Sequence, residues 1–296
     1  MREMPMTPER YCQEKAARSG SSFYYSFLFL PEPQRLAITA LYAFCREVDD
    51  VVDEASEAEV AKLKLAWWRH EIARAFSGEP SHPVTRALQT PIQRYHLPLE
   101  YFQEIIDGMQ MDLDYQVYPS FKELSLYCYR VASVVGLLSA EIFGYQDRNT
   151  QAYARDLGMA MQLTNILRDV REDAHRGRIY IPLDELQRYQ LSISDLHQGK
   201  TTDNLRALFT AQAERARAYY AQAMAHLPRQ DRYAQRSGLI MASVYQSLLA
   251  EIEADGYRVL EQRIKLTPLR KLWIAWRTAR QESRLHRQLL KTGQHT

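Results

Sequence analysis

Apolar residues recur at three- and four-residue spacing along almost the whole chain, so helices are the elements this sequence can bury. Pro33 suits the first turn of a helix that runs through Leu36, Ala40 and Phe44 to Asp53. A second runs from about Ser56 to Ser77, stopped by Gly78 and Pro80. The same reading places helices at 83–94, 98–114, 120–143, 149–173, 202–226, 231–262 and 267–291, with short turns at 183–189 and 192–198. Ser120 followed by Glu123 has the spacing of a capping box. The expected fold class is all-α.

The 296 residues, 46% of them hydrophobic, show no linker tract and no fixed-period repeat, which favours one globular body. Cys12, Cys45 and Cys128 are odd in number and far apart, so neither a disulfide framework nor a zinc site is expected, and a reducing cytoplasm fits. MREMPMTPER lacks the apolar core of a signal peptide. The longest apolar or small run, Val131 to Ala140, is shorter than the ~20 residues that span a bilayer, so no membrane crossing is expected. From Arg263 onward stand nine of the 38 Lys/Arg residues and only one acid, Glu282, so a mildly acidic body carries a basic tail. Basic residues outnumber acids only in that tail, and no recognition motif is present, which disfavours nucleic-acid binding.

Two stretches carry chemistry. In CREVDDVVDE, Asp49 and Asp53 lie four apart on one helix face, and in QLTNILRDVRED so do Asp169 and Asp173. Each pair ends a polar seam in an apolar helix, led by Tyr42 and Arg46 in the first and by Gln162, Asn165 and Arg168 in the second. If the two helices face each other, four carboxylates converge. At ~6 Å and an effective dielectric of about 20, each like-charge pair costs roughly 3 kcal/mol, so a cation is needed, or some carboxylates are protonated or turned away. An oxygen-only donor set with an amide such as Asn165 selects magnesium, which keeps positions open for phosphate oxygens. The polar turn at Ser19, Gly20, Ser21 and Ser22, together with Arg46, Arg168 and the tail's Arg263, could serve a diphosphate. A di-iron bundle is the rival metal reading, but Glu172-x-x-His175 has no second E-x-x-H motif to match it.

FYYSF with ALYAFCREVDDVVD, then LYCYRVASVVG, then QLTNILRDVREDAHRGRIYIP, resembles the squalene/phytoene synthase family across nearly the whole chain. The third block is the most specific of them. The resemblance implies an isoprenoid-synthase helical bundle around a central apolar cavity, formed by residues 1–266, with 267–296 as a basic amphipathic C-terminal helix. It implies that Asp49, Asp53, Asn165, Asp169 and Asp173 hold several Mg2+ ions against a leaving diphosphate. Ser19 to Ser22, Tyr42, Arg46, Gln162, Arg168, Tyr245 and Arg263 would contact the diphosphates or support those contacts, Tyr127 and Tyr180 match aromatic positions near the reacting carbons, and Tyr42, Arg46 and Arg168 join these two tyrosines as the implied catalytic set. Phe23, Tyr24, Tyr25, Phe27, Tyr42, Phe44 and Tyr127 are candidate π-faces for a carbocation.

The opening segment looks most like the bacterial presqualene diphosphate synthases of hopanoid pathways. That likeness implies 1′-1 coupling of two farnesyl diphosphates with loss of one diphosphate, and no NADPH for the condensation. The alternatives are phytoene synthase, using geranylgeranyl diphosphate, and squalene or dehydrosqualene synthase; a non-catalytic lipid-binding scaffold is the rival outside enzymes. Other isoprenoid enzymes are candidate downstream partners. In the tail, Leu269, Leu272, Trp273 and Trp276 sit at helical spacing among basic residues, which suits either peripheral contact with the inner face of a membrane or docking on the body through the tryptophans.

Overall fold

The computed structural model describes residues 6–18, 26–54 and 57–293. They form α1 (Pro8–Arg18), α2 (Glu32–Asp53), α3 (Ala58–Ser77), α4 (Pro83–Tyr95), α5 (Leu99–Asp114), α6 (Phe121–Cys128), α7 (Val134–Phe143), α8 (Asn149–His175), α9 (Leu183–Arg188), α10 (Ile193–Leu196), α11 (Asp203–His226), α12 (Arg236–Ala254) and α13 (Pro268–Gly293). An isolated parallel bridge, Val117 to Ile179, is the only strand-like pairing among the described residues. The all-α expectation holds.

Two apolar cores flank one long helical axis. The first gathers α1 to α5: Phe44 is fully buried on α2, edge-on to Trp68 and Phe102 at centroid distances of 5.7 and 5.3 Å. Burying a side chain of that size contributes roughly 2–3 kcal/mol. The second core joins α6, α8, α11 and α12. Residues 121–143 run between the cores, giving Val134, Leu138 and Ile142 to one and Leu137 and Ala140 to the other. Length and mean hydropathy alone would let this stretch cross a bilayer, but its apolar side chains are divided between the cores.

The single helix expected over 120–143 is interrupted by a π turn at Tyr129–Ser133. Three glycines crowd this axis. A Cβ on Gly158 of α8 would lie 2.6 Å from the Ala132 carbonyl oxygen, one on Gly136 2.4 Å from that of Ala154, and one on Gly108 of α5 2.7 Å from a Val131 methyl. Backbones at that distance leave no room for side chains, and a π turn is a common solution where helices meet at a functional site. The Ser120 cap also differs from a full capping box: Ser120 Oγ accepts from Lys122 N, and its hydroxyl donates to Glu123 instead of leaving that carboxylate to the backbone.

The helix expected over 231–262 is shorter, Arg236–Ala254. At its front the buried Asp231 carboxylate accepts from Gln146 N, Asp147 N and Thr150 Oγ1 at 2.7–3.0 Å, serving the positive end of α8 instead of extending α12. At its end Gly256 takes φ 72°, and Tyr257 N bonds back to the Ile252 carbonyl, closing the helix. Helix α13 does dock on the body, but not by its tryptophans. Ile274, Ala275 and Ala279 are the buried apolar side chains, and the buried Glu282 pairs with Arg232 at 2.6 Å, while Trp273 and Trp276 face solvent.

One buried carboxylate ties α3 to α4. Glu71 accepts from Ser81 N, Ser81 Oγ, His82 N and Thr85 Oγ1 at 2.6–2.7 Å. Burial alone pushes its carboxyl up, but these donors win and hold it down to about 2. Its stabilisation is therefore present above the ordinary carboxyl range and lost as pH falls toward 2. Glu71→Ala, which takes the shared acceptor from Ser81 N, Ser81 Oγ and His82 N and leaves Thr85 only the His82 carbonyl, is expected to cost about 3 kcal/mol in urea unfolding near neutral pH, with the difference shrinking in strong acid.

Candidate active site

A cavity of about 200 Å³ opens where the two cores meet. Helix α2 contributes Ile38, Leu41, Tyr42 and Cys45; the π turn and α7 contribute Val131 and Val135; α8 contributes Leu157, Met161, Gln162 and Asn165; α12 contributes Met241. Its wall is largely apolar, with Tyr42, Gln162 and Asn165 as a polar group on α2 and α8. Phe27 joins the wall with its ring 6.4 Å from that of Tyr42. Phe44 does not, because it lies about a third of a turn round α2 from this face. Burial pushes the Cys45 thiol up to about 12, so the cavity's sulfur stays protonated and a weak nucleophile.

Helices α2 and α8 both carry the cavity lining onward to acid. Tyr42 precedes Asp53, and Gln162 precedes Asp173, by the same eleven positions, about 16 Å of helix. Arg46 spans Asp49 and Asp50 at 2.6 Å each, and Lys15 of α1 reaches Asp50 at 2.8 Å. Asp53 is held by Arg178 at 2.7 Å and Arg176 at 3.1 Å, both from the segment after α8. Gly177, at φ 76°, makes the turn that swings these arginines back to α2. Asp169 pairs with Arg168 and, at 3.0 Å, with Arg263, which also reaches Glu172 at 2.9 Å. Tyr245, 6% exposed, lies within hydrogen-bonding reach of Arg168 and the Asn165 amide. Asn165 Nδ2 donates to Gln162 at 3.4 Å, while its buried Oδ1 has no partner.

The sequence reading missed a fifth carboxylate, Asp112 of α5. It accepts from Tyr180 at 2.6 Å and Tyr127 at 3.1 Å, whose rings stack 5.0 Å apart. Both tyrosines thus serve Asp112 beside the acidic rim and are not part of the cavity wall. Its signal was an acid three residues beyond the buried Met109, on the buried stripe of an apolar helix. Arg176, Arg178 and Lys15 were also missed, since their partners lie on distant elements. Ser19 to Ser22, Phe23, Tyr24 and Tyr25 lie outside the described residues.

Charge crowding is incompletely cancelled. Burial first, then repulsion from Asp53, Asp112 and Asp50, pushes Asp49 up to about 6 against the pull of Arg46. Burial and repulsion from Asp169 and Glu172 push Asp173 to about 7, and burial takes Asp112 to about 6. Among the described residues no three His, Cys, Asp or Glu side chains stand close enough to form a ready cation cage. The donors nonetheless fit a magnesium ion that draws ligands from water and phosphate: they are all oxygen, include the orphaned Asn165 Oδ1, and comprise carboxyls that need positive charge.

Because folding raises the Asp173 carboxyl, its stabilising contribution is present at low pH and lost as pH rises from about 4 through about 7. Asp173→Asn is expected to raise the thermal midpoint of the ligand-free protein near pH 8, by about 2–4 °C per kcal/mol relieved, and to change little near pH 5. A pH-independent difference would contradict this. At the cavity wall the hydroxyl of Tyr153, 1% exposed, has no partner and lies where a Cβ on Gly238 would come within 2.6 Å. Tyr153→Phe is expected to stabilise the protein by about 1 kcal/mol in denaturant unfolding.

Comparison with known proteins places these features in a lineage. The family model described as squalene/phytoene synthase matches residues 16–270. A 15-cis-phytoene synthase from Synechococcus elongatus is 37% identical over 273 residues, covering 88% of this chain and 89% of that protein. A crystal structure of a dehydrosqualene synthase in complex with ligand superposes with a TM-score of 0.83 at 28% identity, over 92% of this chain and 95% of that one. Squalene synthase HpnC from Alicyclobacillus acidocaldarius gives 0.76 at 30% identity, over 84% and 94%. The chain that sets these two acidic helix ends beside an apolar cavity belongs to the squalene/phytoene synthase family.

Proposed function

We propose that the chain couples two allylic prenyl diphosphates head to head. The observation that carries this reading is the shared order along α2 and α8, from apolar cavity wall through Tyr42 and Gln162 to arginines and carboxylates. Prenyl tails would lie in the cavity and diphosphates at the rim. In the first step the allylic C–O bond breaks and one diphosphate leaves. The double bond of the second substrate attacks the resulting cation, and loss of a proton closes a cyclopropane that keeps the other diphosphate. The sequence is redox-neutral, so this step needs no nicotinamide cofactor.

Asp49, Asp53, Asn165, Asp169 and Asp173 are the residues that would hold magnesium, whose charge would neutralise the departing diphosphate. Arg46, Arg168, Arg178 and Arg263 are paired with acids and can exchange part of that pairing for phosphate oxygens. Phe27 and Tyr42 offer π-faces to the cation, and the protonated Cys45 does not trap it.

The comparisons support two substrate lengths, the longer one better. The phytoene synthase among the sequence relatives supports geranylgeranyl diphosphate better than the farnesyl diphosphate suggested by the opening segment. The farnesyl reading, to presqualene diphosphate, draws support from the dehydrosqualene and squalene synthase structures. Incubation with each diphosphate and magnesium, with and without NADPH, followed by product identification, separates them. A forty-carbon product from the longer substrate alone selects the first, and a thirty-carbon cyclopropyl diphosphate from farnesyl diphosphate selects the second. Consumption of neither substrate rejects the reaction class. Asp49→Ala and Asp169→Ala are each expected to lower turnover by about a hundredfold or more while the protein stays folded.

A further inference from the structure

We infer that the outward face of α13 is a docking surface for an anionic lipid bilayer. Leu269, Leu272, Trp273 and Trp276 cluster on one side of the helix, with Leu269 80%, Trp273 54% and Trp276 48% exposed. These side chains are not left over from docking, because the opposite side is already occupied: Ile274, Ala275 and Ala279 are buried on the body and Glu282 is bound to Arg232. An apolar patch of this kind on an otherwise well-packed protein needs an occupant.

The charges around the patch say which. Arg277 stands 5.3 Å over the Trp273 ring and Arg280 5.2 Å over Trp276, and Arg284, Arg287 and Lys291 continue the basic character toward the C-terminus. The only acid of the helix, Glu282, is 3% exposed and neutralised, so the outward face presents indoles and guanidinium groups without a carboxylate. Indoles settle at the boundary between headgroups and acyl chains, and basic residues beside them gain from anionic lipid. A second copy of the chain would bring arginine against arginine, which disfavours self-association through this face.

The placement also suits traffic of water-insoluble tails. Lys271, in the first turn of α13, is close enough to Arg168 to feel its positive charge, and Arg263, just ahead of the helix, pairs with Asp169. The exposed leucines and tryptophans therefore begin next to the charged rim of the cavity. A bilayer on this face would lie beside the entrance that the proposed reaction gives to prenyl substrates. The surface itself follows from α13 alone and does not depend on that reaction.

The test is co-sedimentation of the full chain with vesicles of phosphatidylcholine alone or mixed with phosphatidylglycerol. Binding is expected to the mixed vesicles, weakened in about 1 M salt, where charge is screened within ~3 Å. Trp273→Ser combined with Trp276→Ser should weaken it about tenfold or more, and Arg277→Glu with Arg280→Glu should weaken it on anionic vesicles only. Unfolding midpoints verify that the exposed substitutions leave the fold intact. Absence of binding to mixed vesicles, or equal binding by parent and tryptophan variant, overturns the inference. So does a lipid-free dimer that the same substitutions dissociate, which would make this face a contact between copies. Failure of the catalytic assay with unchanged vesicle binding would strike the reaction and leave the surface.

Discussion

The rim of the cavity depends on repulsion between carboxylates held by two helices and partly cancelled by arginines. Asp49 and Asp53 end one helix, Asp169 and Asp173 lie near the end of the other, and Asp112 enters from a third. Arg176 and Arg178 cross to Asp53, Arg263 crosses to Asp169, and Lys15 takes Asp50. These cross-links tie the elements at the rim without cancelling all of its charge: Asp49, Asp112 and Asp173 still take up protons more readily than ordinary carboxylates. The proposed cation-bearing diphosphate would suit such a site, because each new positive charge would relieve repulsion already present.

Below the rim the requirement reverses. The proposed carbocation would survive only where water and nucleophiles are excluded, and close helix approach together with the state of the few polar groups suits that demand. Gly136 lets α7, and Gly158 lets the π turn, touch α8 backbone to backbone. Burial keeps Cys45 a thiol, and Tyr153 offers its hydroxyl no local partner. The unpaired Tyr153 and Asn165 atoms lie at different places in one lining, the first beside Gly238 and Leu157 and the second close to Arg168 and Asp169 in the chain.

Helix α13 shows how one amphipathic segment can carry two apolar faces. Its small residues, Ala275 and Ala279, with Ile274, allow close approach to the body, and its large ones, Trp273 and Trp276, point away. Docking by small residues leaves indoles available, whereas docking by indoles would have removed them.

What the sequence alone determined is local and periodic. The three- and four-residue apolar spacing fixed the all-α class and most helix limits, and the four-residue spacing of Asp49/Asp53 and Asp169/Asp173 put each pair on one helix face. Those features depend on neighbours along one helix, which the order of residues specifies. Tertiary packing decided the rest. It made Asp231 a cap for α8 instead of part of α12, opened the π turn where glycines let helices touch, and turned Phe44 into a core. It also brought Asp112, Arg178 and Lys15 to the acids and turned Trp273 outward. Each of these outcomes is set by a partner far away in the chain, and the energy of a charge or a ring depends on that partner more than on its own neighbours.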